Sequence, residues 1–256
     1  MNAHEVFETP HDNPPKSVFM LTAYLDESGH EGKNLMVLAG FLGDAVQWRT
    51  CEENWKLALG KRSHLHMNDL RWSKPERIER LLRALGPVPH AAGLQAVVVT
   101  TSMSDYEDLV SGTELERLYK SYMISLMGII NVVTENIPAD ETFKLVLERN
   151  DRYEVNVQSL FRGSKESRSG GKLISIEFVD KGGTCLTEPG DYLAYAILER
   201  HRNAGSMRDK LCSPILCNTQ PVLARFHHLQ PELVRDLVNN TVAKFPHMKG
   251  FVSHDN

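Results

Sequence analysis

The chain has 256 residues, enough for one large domain or two small ones, and its 41% hydrophobic and 24% charged residues are those of an ordinary globular protein. A formal net charge of −4 excludes a global pull toward nucleic acid or anionic membranes, so any polyanion-binding face must be local. Cys51, Cys185, Cys212 and Cys217 form no Cys-x-x-Cys pair and read as reduced thiols, and no apolar run reaches the ~20 residues of a membrane span, so a cytoplasmic protein without membrane contact is the expectation.

Residues 1–16, polar and carrying Pro10, Pro14 and Pro15, predict a flexible leader. The apolar run Val18–Leu25 predicts a first strand ending near Asp26, and Leu35–Leu42 a second one joined to it as a hairpin. Asp44 can cap a helix through Leu59, with Trp48, Cys51, Trp55 and Leu59 on its apolar face. Pro75 opens a helix carrying Ile78, Leu81, Leu82 and Leu85, stopped by Gly86. Leu94–Val99 is a third strand, and the capping box Thr113-x-x-Glu116 starts a long helix ending near Glu135. Phe143–Glu148 and Leu173–Val179 are the fourth and fifth strands, with a helix over Tyr153–Phe161 between them and another over residues 189–201 after them. From about Ser213 onward the chain reads as a helical appendage, in which Pro231 opens a run through Leu233, Leu237 and Val242.

This order predicts an α/β fold with a mixed five-stranded sheet flanked by helices. It is the element order of the ribonuclease H-like fold over residues 17–203, with a helical insertion at 44–90 after the second strand and a helical C-terminal extension at 204–256 packed on the same domain. The apolar faces of that extension could pair in a homodimer.

Acidic residues fall at comparable places in the pattern. Asp26 and Glu27 close the first strand, Glu148 closes the fourth, and Asp191 lies in the first turn of the last helix. On such a sheet the three sites converge. Carboxylates brought together repel, so a cation must neutralise them or one must hold a proton. Their hard oxygens suit Mg²⁺ or Mn²⁺, and two such ions ~4 Å apart can activate water and stabilise the leaving oxygen of a phosphodiester. Plainer readings stand beside this one. Asp, Ser and Gly are ordinary turn residues, Glu148 could be a solvated strand end, and Asp191 could be an acid favoured by the helix dipole. Asp151 and Asp180 are competing acids near the same strand ends.

The segments Tyr24-Leu25-Asp26-Glu27-Ser28-Gly29, Leu65-His66-Met67-Asn68-Asp69-Leu70 and Gly190-Asp191-Tyr192-Leu193-Ala194 resemble the successive signatures of a large prokaryotic family, domain of unknown function 3800, grouped with ribonuclease H-like proteins. The resemblance covers roughly residues 17–203 and implies that Asp26, Glu27, Glu148 and Asp191 are the candidate metal ligands and catalytic acids, with His66 as a further site residue; Asp26, Glu148 and Asp191 are expected to hold the metal directly, with Glu27 as a ligand or an orienting neighbour. It implies a mechanism class and no particular substrate; nucleic acid, DNA or RNA, is the expected one. The last motif departs from the family's usual Leu-Gln-x-Ala-Asp, with Glu188 at the Gln position and Gly190 at the Ala position. Glu188 either adds a ligand or marks drift.

His66 could ligate a cation or move a proton near neutral pH, or it could be a surface histidine. The basic, glycine- and serine-rich stretch Arg162–Lys172 suits contact with a phosphate backbone, or is a solvated loop. No Walker loop, dinucleotide fingerprint or serine elbow is present. Metal-assisted phosphodiester hydrolysis is therefore the leading expectation. A non-catalytic nucleic-acid- or protein-binding module and a hydrolase of small phosphorylated molecules are the alternatives.

Overall fold

The computed structural model describes residues 20–29, 34–110, 121–149, 153–154, 156–158, 161, 171–218 and 227–228. The leader, the Thr113 capping box, most of the Arg162–Lys172 stretch and the run opened by Pro231 lie outside them. The chain is α/β. Strands β1 (Met20–Ser28), β2 (Leu35–Gly43), β3 (Gln95–Ser102), β4 (Thr142–Glu148) and β5 (Leu173–Val179) form a mixed sheet in the order β5-β4-β1-β2-β3. β1 runs antiparallel to β2 and β2 to β3, whereas β1 pairs in parallel with β4 and β4 with β5. A two-residue strand, β6 (His227–His228), adds a sixth member beside Val99 and Thr100 of β3. The mixed sheet of five strands stands as expected, and this short strand comes from the C-terminal extension that the sequence reads as helical. The open edge of β3 offers unpaired backbone groups, and a short extended segment takes them.

Helices occupy both faces. Between β2 and β3 lie α1 (Ala45–Leu59), a 3₁₀ turn (Met67–Asp69), α2 (Pro75–Leu85) and α3 (Val88–Ala91). After β3 come α4 (Met103–Val110) and α5 (Ser121–Asn136), and after β5 come α6 (Glu188–Asn203) and α7 (Met207–Asn218). α1 starts where its sequence says it should. The Asp44 side chain accepts the Val46 and Gln47 N–H groups at 2.8 Å, and Gln47 accepts the Asp44 N–H in return.

Side chains alternate across a strand, so β2, apolar at nearly every position, is buried along its whole length. Met36, Leu38 and Leu42 join Ala23 and Leu25 of β1, Phe143 and Leu145 of β4 and most of α5 in one core. Val37, Ala39 and Phe41 face the other way, toward Trp48 and Trp55 of α1, Leu82 of α2 and Tyr192 of α6. This two-sided packing fixes the register of β1 and with it the direction of every acid at its end. Lys172, expected in a phosphate-binding loop, instead caps α5: its ammonium donates to the carbonyls of Thr134 and Ile137 at 2.9 and 2.8 Å. All four cysteines carry free thiols. No helix among the described residues is long and apolar enough to cross a membrane.

Candidate active site

β1 continues two residues past the expected end at Asp26, and this decides what Asp26 and Glu27 do. Asp26 shares its face with Thr22 and Tyr24 and points toward α6, while Glu27 alternates to the α5 side. There Tyr122 of α5 feels it: burial first, then the charge of Glu27, hold the Tyr122 phenol well above its usual range. Gly29, with φ of +100°, ends the strand in a conformation that favours glycine, and a Cβ there would meet the Leu35 carbonyl oxygen.

On the α6 side a cleft of about 160 Å³ is lined by Asp26, Glu148, Glu188 and Asp191, with His64, His66 and Lys181 at its walls. Three elements far apart in sequence thus bring Asp26, Glu148 and Asp191 to one place. His66 joins them, and Glu27 is absent from the lining residues. Asp180 is not among them either, for it is exposed and pairs with Arg149 at 3.0 Å. Asp151 lies outside the described residues.

The approach of α6 depends on Gly190. A Cβ at this position would lie 3.1 Å from both the Ala39 carbonyl oxygen and the Asp26 nitrogen, so the helix start rests directly on the backbones of β1 and β2. Without a side chain at Gly190, Asp191 can come down beside Asp26. Segment 64–72 closes the cleft from the other side. Asp191 Oδ2 accepts the Met67 N–H at 2.8 Å, and Trp72 stacks on Tyr195, one helical turn beyond Asp191, with ring centroids 5.7 Å apart. Glu188 Oε2 accepts the indole N–H of buried Trp55 at 2.7 Å, which ties α1 to the same wall.

The electrostatics follow from burial and crowding. Burial, then the charges of Glu27, Asp191 and Glu148, hold the Asp26 carboxyl well above the usual carboxylate range, against the Glu27 N–H it accepts at 2.8 Å. Burial also raises Asp191, opposed by the Met67 N–H and by the charge of Lys181. Glu148 is raised by burial and by Glu27, with Lys181 pulling the other way. Glu188 is raised by burial despite the Trp55 donor. Lys181 Nζ donates to His66 Nε2 at 2.8 Å, which leaves the imidazole proton on Nδ1. That Nδ1 is buried without a hydrogen-bond partner among the described residues and lies 3.7 Å from Asp69 Oδ2.

Whether these residues suit a hard divalent cation turns on their donor chemistry. Asp26 and Asp191 each give one oxygen to a backbone N–H, which orients the carboxylate and leaves the second oxygen for a ligand. All four acids are held in a state that a cation would relieve. As the side chains stand, no group of three or more His, Cys, Asp or Glu among the described residues is close enough to hold a metal ion, so binding would draw the acids inward. The donor set fits; its closure is what the cation must supply.

Glu188, noted in the sequence only as a departure from a motif, is a wall of the cleft, and Lys181 was not singled out there at all. Its one signal is position: it follows directly on the fifth strand, at the end of the sheet that carries Glu148. The chain matches no family model, and no curated protein or solved structure matches it.

Proposed function

We propose that the protein is a divalent-metal-dependent phosphodiesterase of the ribonuclease H-like type, hydrolysing nucleic acid at this cleft. The observation that carries the proposal is the convergence of Asp26, Glu148 and Asp191, from β1, β4 and α6, on one cleft whose carboxyls are all raised by burial and crowding. The sheet order β3-β2-β1-β4-β5, with its first three strands antiparallel and the rest parallel to β1, supports the ribonuclease H-like assignment, as do the motifs around Asp26, His66 and Asp191. Raised carboxyls clustered in a cleft are characteristic of functional sites.

Asp26, Glu148 and Asp191 would hold Mg²⁺ or Mn²⁺, with Glu188 within reach of the same space. Such an ion supplies Lewis acidity to the phosphoryl group and lowers the pKa of a bound water. The protein's own residues do the rest. Backbone N–H groups of Glu27 and Met67 fix the two aspartates in rotation, Trp55 fixes Glu188, and the apolar packing of α6 on β2 keeps bulk water from the cleft floor. His66, with its proton on Nδ1 and Nε2 toward Lys181, can take a proton at the cleft wall once the ammonium moves aside.

One alternative fits the same cleft. Its space of about 160 Å³ admits a phosphate group, which a small phosphorylated molecule can supply as well as a nucleic-acid strand. The test is cleavage of labelled single-stranded DNA, duplex DNA, RNA, hybrid and free nucleotides, with Mg²⁺ or Mn²⁺, beside Asp26→Asn. Metal-dependent cleavage of a polymer, lost in the variant, supports the nuclease. Hydrolysis of nucleotides alone moves the substrate to the small-molecule class. Metal binding that persists in Asp26→Asn with full activity refutes the assignment.

A further inference from the structure

Asp180-Lys181-Gly182-Gly183 is a tight turn closed by the Gly183 N–H donating to the Asp180 carbonyl at 2.7 Å. Gly182, third in the turn, has φ of +70°, the left-handed value that a turn of this kind needs there. A Cβ on Gly182 would meet nothing within 4 Å, so glycine is present for its backbone conformation and not for lack of room. The turn parts two neighbouring charges. Asp180 faces outward to Arg149, and Lys181 turns back over the cleft to reach His66 Nε2 at 2.8 Å.

Among the described residues lining the cleft, Lys181 is the only lysine or arginine, against the four acids Asp26, Glu148, Glu188 and Asp191 and the imidazoles of His64 and His66. Its charge eases the ionisation of Glu148 and Asp191. An ammonium in that position does part of what a divalent cation would do, and the two cannot share the space without repelling.

We propose that Lys181 is the cleft's built-in counter-cation, which competes with the divalent metal for the carboxylates and thereby sets the metal concentration at which the site loads. The proposal rests on the metal-dependent reading of the cleft and adds to it a residue that the sequence motifs do not contain. On loading, the ammonium is displaced and His66 Nε2 loses its donor, so metal entry and the freeing of the imidazole are one event. The exposed, glycine-bearing turn gives the side chain room to withdraw.

The test is direct Mn²⁺ binding, read from the loss of the free-ion paramagnetic resonance signal at physiological salt. The proteins compared are wild type, Lys181→Met, Lys181→Arg and Arg149→Met. Lys181→Met should bind Mn²⁺ severalfold to tenfold more tightly than wild type. Lys181→Arg, which keeps the charge, should stay near wild type. Arg149→Met removes an exposed charge close by that does not line the cleft, and should change affinity less than twofold. Tighter binding in Lys181→Met alone, or binding seen only in that variant, supports the proposal. Wild-type binding that Lys181→Met leaves equal or weakens overturns it while the metal-dependent reading stands, and an equal gain in Arg149→Met reduces it to net charge. If neither wild type nor Lys181→Met binds Mn²⁺, that reading falls and the proposal with it.

Discussion

Replacing Asp26 by Asn should make the metal-free protein more stable while removing its function. Asp26 is 8% exposed and shares its surroundings with Glu27, Asp191 and Glu148. The Asn side-chain oxygen can still accept the Glu27 N–H now made at 2.8 Å, so the substitution removes a charge and little else. Relief of a buried like-charge contact of this kind stabilises by on the order of 1–2 kcal/mol, the scale seen when functional strain is removed. For a chain of this size that is a rise in Tm of roughly 2–8 °C. The pH dependence has a definite sign. A carboxyl whose pKa is raised by folding binds more protons folded than unfolded, so wild-type stability falls as pH rises from the ordinary carboxylate range through the raised value. Asp191, Glu148 and Glu188 are shifted the same way and add to this fall. The advantage of Asp26→Asn should therefore grow as pH rises above the ordinary carboxylate range and shrink toward zero near pH ~4. Thermal melts in chelator across that range measure it. Mn²⁺ at about a hundred times its Kd should then raise the wild type by roughly 2.7 kcal/mol and leave the variant unchanged. An Asn variant less stable than wild type at pH 8 in chelator, or a difference independent of pH, refutes the placement of these charges.

Other substitutions test the cleft's supports. Gly190→Val drives a branched side chain into the backbones of Ala39 and Asp26, and should cost about 1–3 kcal/mol by urea denaturation. Trp55→Phe removes the donor from Glu188 and should cost on the order of 1.5–3 kcal/mol, read from the same transition. Asp180→Ala breaks only an exposed pair with Arg149, so its urea midpoint should stay within about 0.5 kcal/mol of wild type. Asp191→Asn can still accept the Met67 N–H; it should fold normally by circular dichroism and lose metal-dependent cleavage.

The sheet was legible because its strands are apolar runs bounded by turn chemistry. β2, β4 and β5 lie within a residue of their expected bounds, and α1 and α2 start and stop at Asp44, Leu59, Pro75 and Gly86 as their caps require. α4 was missed, for its eight residues follow a strand with only a turn of apolar spacing. β6 was missed because two histidines carry no strand signal and their pairing is set by the open edge of β3. Within the cleft, Asp26, Glu148, Asp191 and His66 could be placed by element order and motif. Lys181 and the role of Glu188 could not. Lys181 reaches the cleft through the geometry of one glycine turn, and Glu188 through a bond to Trp55 that spans 133 positions of chain. Neither is written in local spacing.

The long-range ties of the cleft also fix when it can form. The Met67–Asp191 bond joins residues 124 positions apart, and Asp191 meets Asp26 only when the start of α6 rests on the backbones of β1 and β2. The hairpin of β1 and β2 can close early, whereas α6, which packs on both of its strands from far along the chain, has to wait for it. The acids of β1 and α6 therefore confront one another only after the hairpin has formed. Repulsion that arises on the native side of the main barrier would hasten unfolding far more than it slows folding. In kinetic experiments on Asp26→Asn the gain in stability should appear as slower unfolding, with α6 the first element to leave the wild-type sheet.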